Sequence, residues 1–162
     1  MAEGKSHSPS AQIFSVQPRI QRITRIKNIV HEELSGKIIG AAMEVLNELK
    51  PGLDEKLYER AMVIELKRRG HNLSIQRSFP VDYRGELIGN LIPDLIVDDA
   101  VIVDPKVVSC FTDTHIAQMV GYLNITGLYL GLLINLKNAH LDWKRVLRPQ
   151  APGEHDVPDL KR

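Results

Sequence analysis

The stretch from Leu91 to Lys106 constrains the fold more than any other part of the chain. Two apolar runs, one carrying Pro93 and Asp94, flank the pair Asp98-Asp99. That pattern predicts two short strands joined by a tight turn, with Asp98 and Asp99 as turn residues. Asp94 falls near the start of the first strand, and Asp104 and Lys106 fall at the end of the second. Side chains alternate faces along a strand, so Asp104 and Lys106 point the same way. The length of the turn decides whether Asp94 joins them. A two-residue loop at Asp98-Asp99 would pair Val97 with Ala100 and place Asp94 opposite Val103. An odd-length loop or a bulge would place Asp94 opposite Asp104, and this is the predicted register. Two carboxylates and one ammonium then converge. Such a set suits a hard divalent cation such as magnesium, with a lysine placed to orient a water or to offset charge on a phosphate.

Around this hairpin the sequence alternates helical and extended patterns. Leu34, Ile38, Ile39, Ala42, Val45, Leu46 and Leu49 repeat at helical spacing and predict a helix over Glu33–Leu49. Glu44 lies off most of that stripe and is a weaker candidate for the site. Pro51-Gly52 ends the helix. A second helix is predicted over Leu53–Arg69, with Leu57, Ala61, Ile64 and Leu66 as its buried side. Glu55 and Tyr58, three apart, share a face of it. Lys67, Arg68 and Arg69 suit the helix C-terminus, and Gly70 stops it. Leu73–Tyr83 reads as a strand, Arg84–Glu86 as a turn into Leu87-Ile88, and Gly89-Asn90 as a bend. Thr112, Asp113 or Thr114 can cap a helix over His115–Asn124, on which Gln118 and Tyr122 share a face. Leu128–Leu136 reads as a strand buried on both sides, and Leu141–Val146 as a last strand. These elements describe an α/β sandwich around a mixed sheet.

The residues also carry a family resemblance. Pro93-Asp94, a spacer, and Asp104-Pro105-Lys106 resemble the PD-(D/E)xK nuclease signature. Gly52–Tyr58, with Glu55 and Tyr58, resembles the motif of the GxxExxY protein family, a branch of that superfamily. His115–Leu123, with Gln118 and Tyr122, resembles the family's later helix, and Gly131–Asn135 its last core strand. The motifs come in the family's order and span roughly Glu33 to Val146. The resemblance implies a restriction-endonuclease-like α/β core, a central mixed β-sheet flanked by α-helices. It implies a magnesium- or manganese-dependent nuclease that hydrolyses phosphodiester bonds of nucleic acid, DNA by expectation. In that reading Asp94 and Asp104 hold the metal with Glu55 as a further acid, and Lys106 and Gln118 complete the catalytic set. Tyr58, Gln118 and Tyr122 line the substrate cleft. One departure stands out: the family usually has Glu-Leu-Lys where this chain has Asp104-Pro105-Lys106. Proline removes a ladder donor and belongs at edges, strand starts or bulges, so a distorted spacing of Asp104 and Lys106 is an expectation here. The alternative is a catalytically inactive nuclease-fold module for nucleic-acid binding or protein interaction. A plainer one still is a structural or oligomerisation domain.

Length and composition frame these readings. A chain of 162 residues is one domain by default. The expected division is a flexible basic arm over 1–30, the nuclease-like domain over 31–147 and a disordered tail over 148–162. Arg19, Arg22, Arg25 and Lys27 give the arm its charge; attraction to a phosphate backbone is one reading, and a solvated face, packed on the domain or on a partner chain, explains them without a ligand. A homo-oligomer is compatible with this. Net charge is +1, so any surface for nucleic acid is local. A single cysteine, Cys110, excludes an intrachain disulfide framework and suits the cytoplasm. No apolar run is long enough for a membrane helix.

Overall fold

The computed structural model describes residues 30–150. The expected basic arm, apart from Val30, and residues 151–162 of the expected tail lie outside that range.

Among the described residues three helices and seven strands follow one another: α1 (Glu32–Leu49), α2 (Glu55–Arg68), β1 (Leu73–Ile75), β2 (Phe79–Tyr83), β3 (Glu86–Leu91), β4 (Leu95–Val97), β5 (Val101–Lys106), α3 (Asp113–Thr126), β6 (Leu130–Asn135) and β7 (Asp142–Leu147). Five strands form a mixed sheet in the order β1-β4-β5-β6-β7, and β2-β3 form a separate antiparallel hairpin. Only β5 and β6 are parallel; α3 makes the crossover that a parallel pair requires.

Alternation along β4, β5 and β6 sends one set of side chains to each face. Leu95, Val97, Val101, Val103, Leu130, Leu132 and Ile134 pack with α1 and α2. Ile96, Ile102 and Leu133 pack with Met119 and Leu123 of α3. The α3 face admits the helix closely because β6 carries Gly131. A Cβ there would fall 2.2 Å from the Met119 sulfur and 2.5 Å from its Cγ.

Local chemistry sets the helix ends. Asp54 precedes α2 in extended conformation, and Lys67 and Arg68 occupy its last turn, where cations suit the dipole. Thr112 Oγ1 accepts from His115 N, while His115 Nδ1 accepts from Thr112 N at 3.1 Å, a reciprocal cap at the start of α3. His115 is thereby a capping residue.

Three local expectations are corrected. Leu73–Tyr83 is two strands in different sheets, because Gln76 takes a positive φ of 50° and breaks it. Gly89-Asn90 lies inside β3 and not in a loop; the irregularity is Ile88, which the register skips between Val81↔Gly89 and Asp82↔Leu87. The buried stripe of α2 is Tyr58, Met62 and Leu66, spaced four apart, while Leu57 and Ile64 are exposed. The helix is rotated so that its one large aromatic enters the core.

Candidate active site

The β4–β5 hairpin has the odd-length loop that the site requires. Leu95 pairs with Val103 and Val97 with Val101, leaving Asp98, Asp99 and Ala100 between them. Asp98 and Asp99 both take φ of 52°, and Ala100 N donates to Val97 O. The Asp98 carboxylate accepts from Asn72 N at 2.8 Å and lies 2.7 Å from His71 Nδ1, which ties the turn to the end of α2. One further step of this register sets Asp94 level with Asp104.

The backbone shows which kind of pair this is. Asp94 O accepts from Gln76 N, so Asp94 turns its peptide groups toward β1. Lys106 O accepts from Leu136 N, so Lys106, and by alternation Asp104, turn theirs toward β6. Asp94 and Asp104 thus form a non-hydrogen-bonded antiparallel position, the kind whose side chains stand closest, with Cβ atoms about 4.5–5.5 Å apart.

The same alternation accounts for Pro105. Its missing N–H would have pointed toward β4, and the register sets it level with Pro93, which also lacks one. Both prolines are buried, and the ladder ends there without stranding a donor. On the other side β5 keeps its pairing with β6 through Pro105↔Ile134 and Lys106↔Asn135. The expected distortion is absent: Lys106 Nζ lies 2.9 Å from Asp104 Oδ1.

Two polar clamps hold the end of β5 in place. Glu55, the first residue of α2, accepts from Val107 N at 3.3 Å. Asn135, 3% exposed, accepts from Val108 N and Lys137 N and donates to Val108 O at 2.7 Å. From α3, Tyr122 is half-buried and its hydroxyl accepts from Gln118 Nε2 at 3.0 Å.

Electrostatics show that these groups share one site. Burial pushes the Asp104 carboxyl above its ordinary range; Lys106 opposes this and the charges of Asp94 and Glu55 add to it. Burial by itself would lower Lys106, but Asp104, Glu55 and Asp94 outweigh it and keep the ammonium protonated. Tyr122 is raised by burial and then by Asp104 and Asp94, so its phenol stays neutral. Glu55, Asp94, Asp104, Lys106, Gln118 and Tyr122 are therefore brought together.

Tyr58 is not. It is fully buried, and its hydroxyl donates to Lys50 O at 2.6 Å and accepts from Leu53 N at 3.2 Å. It fastens the turn between α1 and α2; its expected place in a substrate cleft is corrected. Glu44 also lies elsewhere, in a groove with Ile64, Glu65 and Arg68. Cys110 is a free, exposed thiol. Three residues were missed. Lys56 Nζ lies 2.7 Å from Glu59 Oε2 and 3.7 Å from Asp94 Oδ1, and Glu59 is only 6% exposed. The three-residue spacing of Lys56 and Glu59 signals that pair; Asn135 had no signal beyond its position at a strand end.

A family profile of the PD-(D/E)XK nuclease superfamily matches residues 32–146. The chain belongs to this superfamily, and its five-stranded mixed sheet flanked by helices is consistent with the restriction-endonuclease-like fold. No curated protein matches the chain. Among solved structures, the crystal structure of SSO0001 is similar at 14% identity and a TM-score of 0.47, over 80% of this chain and 63% of that one. The chain thus spans less than two thirds of that protein, and the likeness is too slight to argue from.

Members of this superfamily generally use divalent metal ions. The residues present fit one: Asp104 Oδ1 is buried and, although beside the Lys106 ammonium, accepts no well-directed hydrogen bond, and Asp94 stands across from it. Among the described residues no group of three or more His, Cys, Asp or Glu side chains is close enough to hold a metal. Two carboxylates suffice for magnesium, which keeps waters and takes further ligands from substrate phosphate.

Proposed function

We propose that this chain is a nuclease of the GxxExxY branch that hydrolyses phosphodiester bonds of DNA with magnesium or manganese. The observation that carries the reading is Asp104: a buried carboxylate level with Asp94, its Oδ1 ion-paired at 2.9 Å with a protonated Lys106 and accepting no well-directed hydrogen bond.

Asp94 and Asp104 would hold the cation, with Glu55 close enough for its charge to reach both Asp104 and Lys106. Once bound, a divalent ion supplies a more acidic water and offsets phosphate charge. The surrounding carboxylates hold Lys106 protonated, so it offers a positive charge for developing phosphate negativity. The Gln118 amide and the Tyr122 hydroxyl stand on one side of the cleft, where they can orient a phosphate or a water. Glu55 and Asn135 act through the backbone by fixing Val107 and Val108 behind Lys106. Among the described residues no helix is long and apolar enough to cross a membrane, and with a single free thiol the cytoplasm is the proposed location.

The test is cleavage of labelled DNA and RNA panels in magnesium, manganese or EDTA, with Lys106→Ala and Asp104→Ala alongside. Metal-dependent cutting by wild type, lost in both folded variants, is expected. A folded wild type that cuts no substrate would leave the inactive nuclease-fold module as the function.

A further inference from the structure

The mechanism above does not use Glu59 or Lys56. Glu59 is 6% exposed, and a carboxylate that deep needs a counter-charge. Its counter-charge is the Lys56 ammonium at 2.7 Å, one turn earlier on α2. The other side of that ammonium lies 3.7 Å from Asp94 Oδ1, a carboxylate of the candidate metal site. Lys56 therefore stands between two acids as a cation would, with its side chain 58% exposed. Counted ionised, Glu55, Glu59, Asp94 and Asp104 with Lys56 and Lys106 leave two net negative charges, the charge of one divalent ion. Removing Lys56 would leave three, with Glu59 buried and uncompensated.

We propose that the Lys56 ammonium fills the place of a second cation between Glu59 and Asp94 and so limits the site to one divalent ion. The inference rests on the metal-dependent reading given under Proposed function. Two carboxylates that share an ammonium present their oxygens inward, and a divalent ion needs the same oxygens at about 2.0–2.6 Å. Rotation of the Asp94 and Glu59 side chains toward each other would supply that once the lysine is gone. The closure is one of side chains, because the backbone of Asp94 is pinned through its carbonyl to Gln76 and Glu59 is held by burial in α2.

The experiment is the stoichiometry of manganese binding to the full chain, read by isothermal titration and by the EPR signal of free manganese. Wild type should bind one ion. Lys56→Met should bind two, and Lys56→Met with Glu59→Gln should return to one. Lys56→Gln, which keeps a donor for Glu59, is the second variant should the methionine protein not fold, and it should also bind two. An ion pair with a merely structural role would change the melting temperature and leave the stoichiometry at one. One ion in wild type and still one at saturation in both lysine variants overturns the inference alone, as do two ions in wild type. No ion in any of the proteins overturns the metal-dependent reading on which it rests.

Discussion

Asp94 and Asp104 stand level across the β4–β5 hairpin, at the position where antiparallel side chains come closest, because three residues and not two separate Val97 from Val101. A slip of one residue would send one of the two carboxylates to the far face of the sheet. The site thus depends on a turn that contributes none of its chemistry.

That arrangement gives Asp104 an energetic signature. Its surroundings disfavour its charge even with Lys106 beside it. In the metal-free protein Asp104→Asn should therefore stabilise the fold and raise its melting temperature. The same variant should lose manganese binding. Calorimetry and metal titration on one preparation check both, and a lowered melting temperature would contradict the electrostatic account.

The pH dependence follows with its own sign. The folded protein binds the Asp104 proton more tightly than the unfolded chain does. Stability from this group is fully present below the ordinary carboxylate range and is lost as pH rises through the raised folded value. Denaturant midpoints of the metal-free protein should show this contribution in that window, and the difference between wild type and Asp104→Asn isolates it. Identical pH slopes for the two proteins would count against it.

Pro105 faces Pro93 past the end of β4, so replacing it restores a donor that nothing needs. Pro105→Leu should keep the β5–β6 register and leave metal binding intact, at a cost of about 1–3 kcal/mol for the added volume and the restored, buried N–H. A gain of cleavage in the variant would show that proline restrains the site after all.

Tyr58 fastens Lys50 and Leu53, and its ring belongs to the core. Tyr58→Phe should cost about 1–2 kcal/mol through the lost hydroxyl bonds, with affinity for DNA and metal unchanged. Denaturation beside a binding assay separates this from a cleft role, which would weaken binding at little cost to stability.

Gly131 admits Met119. Gly131→Ala should cost about 1–3 kcal/mol by overpacking, and trimming Met119 to Val should recover part of it. A double-mutant cycle measures the coupling; simple additivity would show that α3 is free to move away.

Local pattern carried much of this fold. The stripe of Ile38, Ala42, Val45 and Leu46, the continuous apolar run of β6, the cap at Thr112 and the alternation of Asp104 with Lys106 all rest on periods of a few residues, which neighbours in the chain impose on one another. The odd register of the hairpin was legible too, because a site with both aspartates admits no other.

Contacts between distant segments decided the rest. Whether Tyr58 entered the core or the cleft depended on how α2 rotated against the sheet, and Leu57 offered the sequence an equally apolar choice. The break at Gln76 came from the sheet that β1 had to join. Pro105 was harmless because its missing N–H faces the end of β4, where that ladder stops, and not β6, with which β5 stays paired. Glu59, Lys56 and Asn135 acquired their places from burial, and burial belongs to the packed chain: a carboxylate or an amide takes on a fixed partner when tertiary structure removes water from around it.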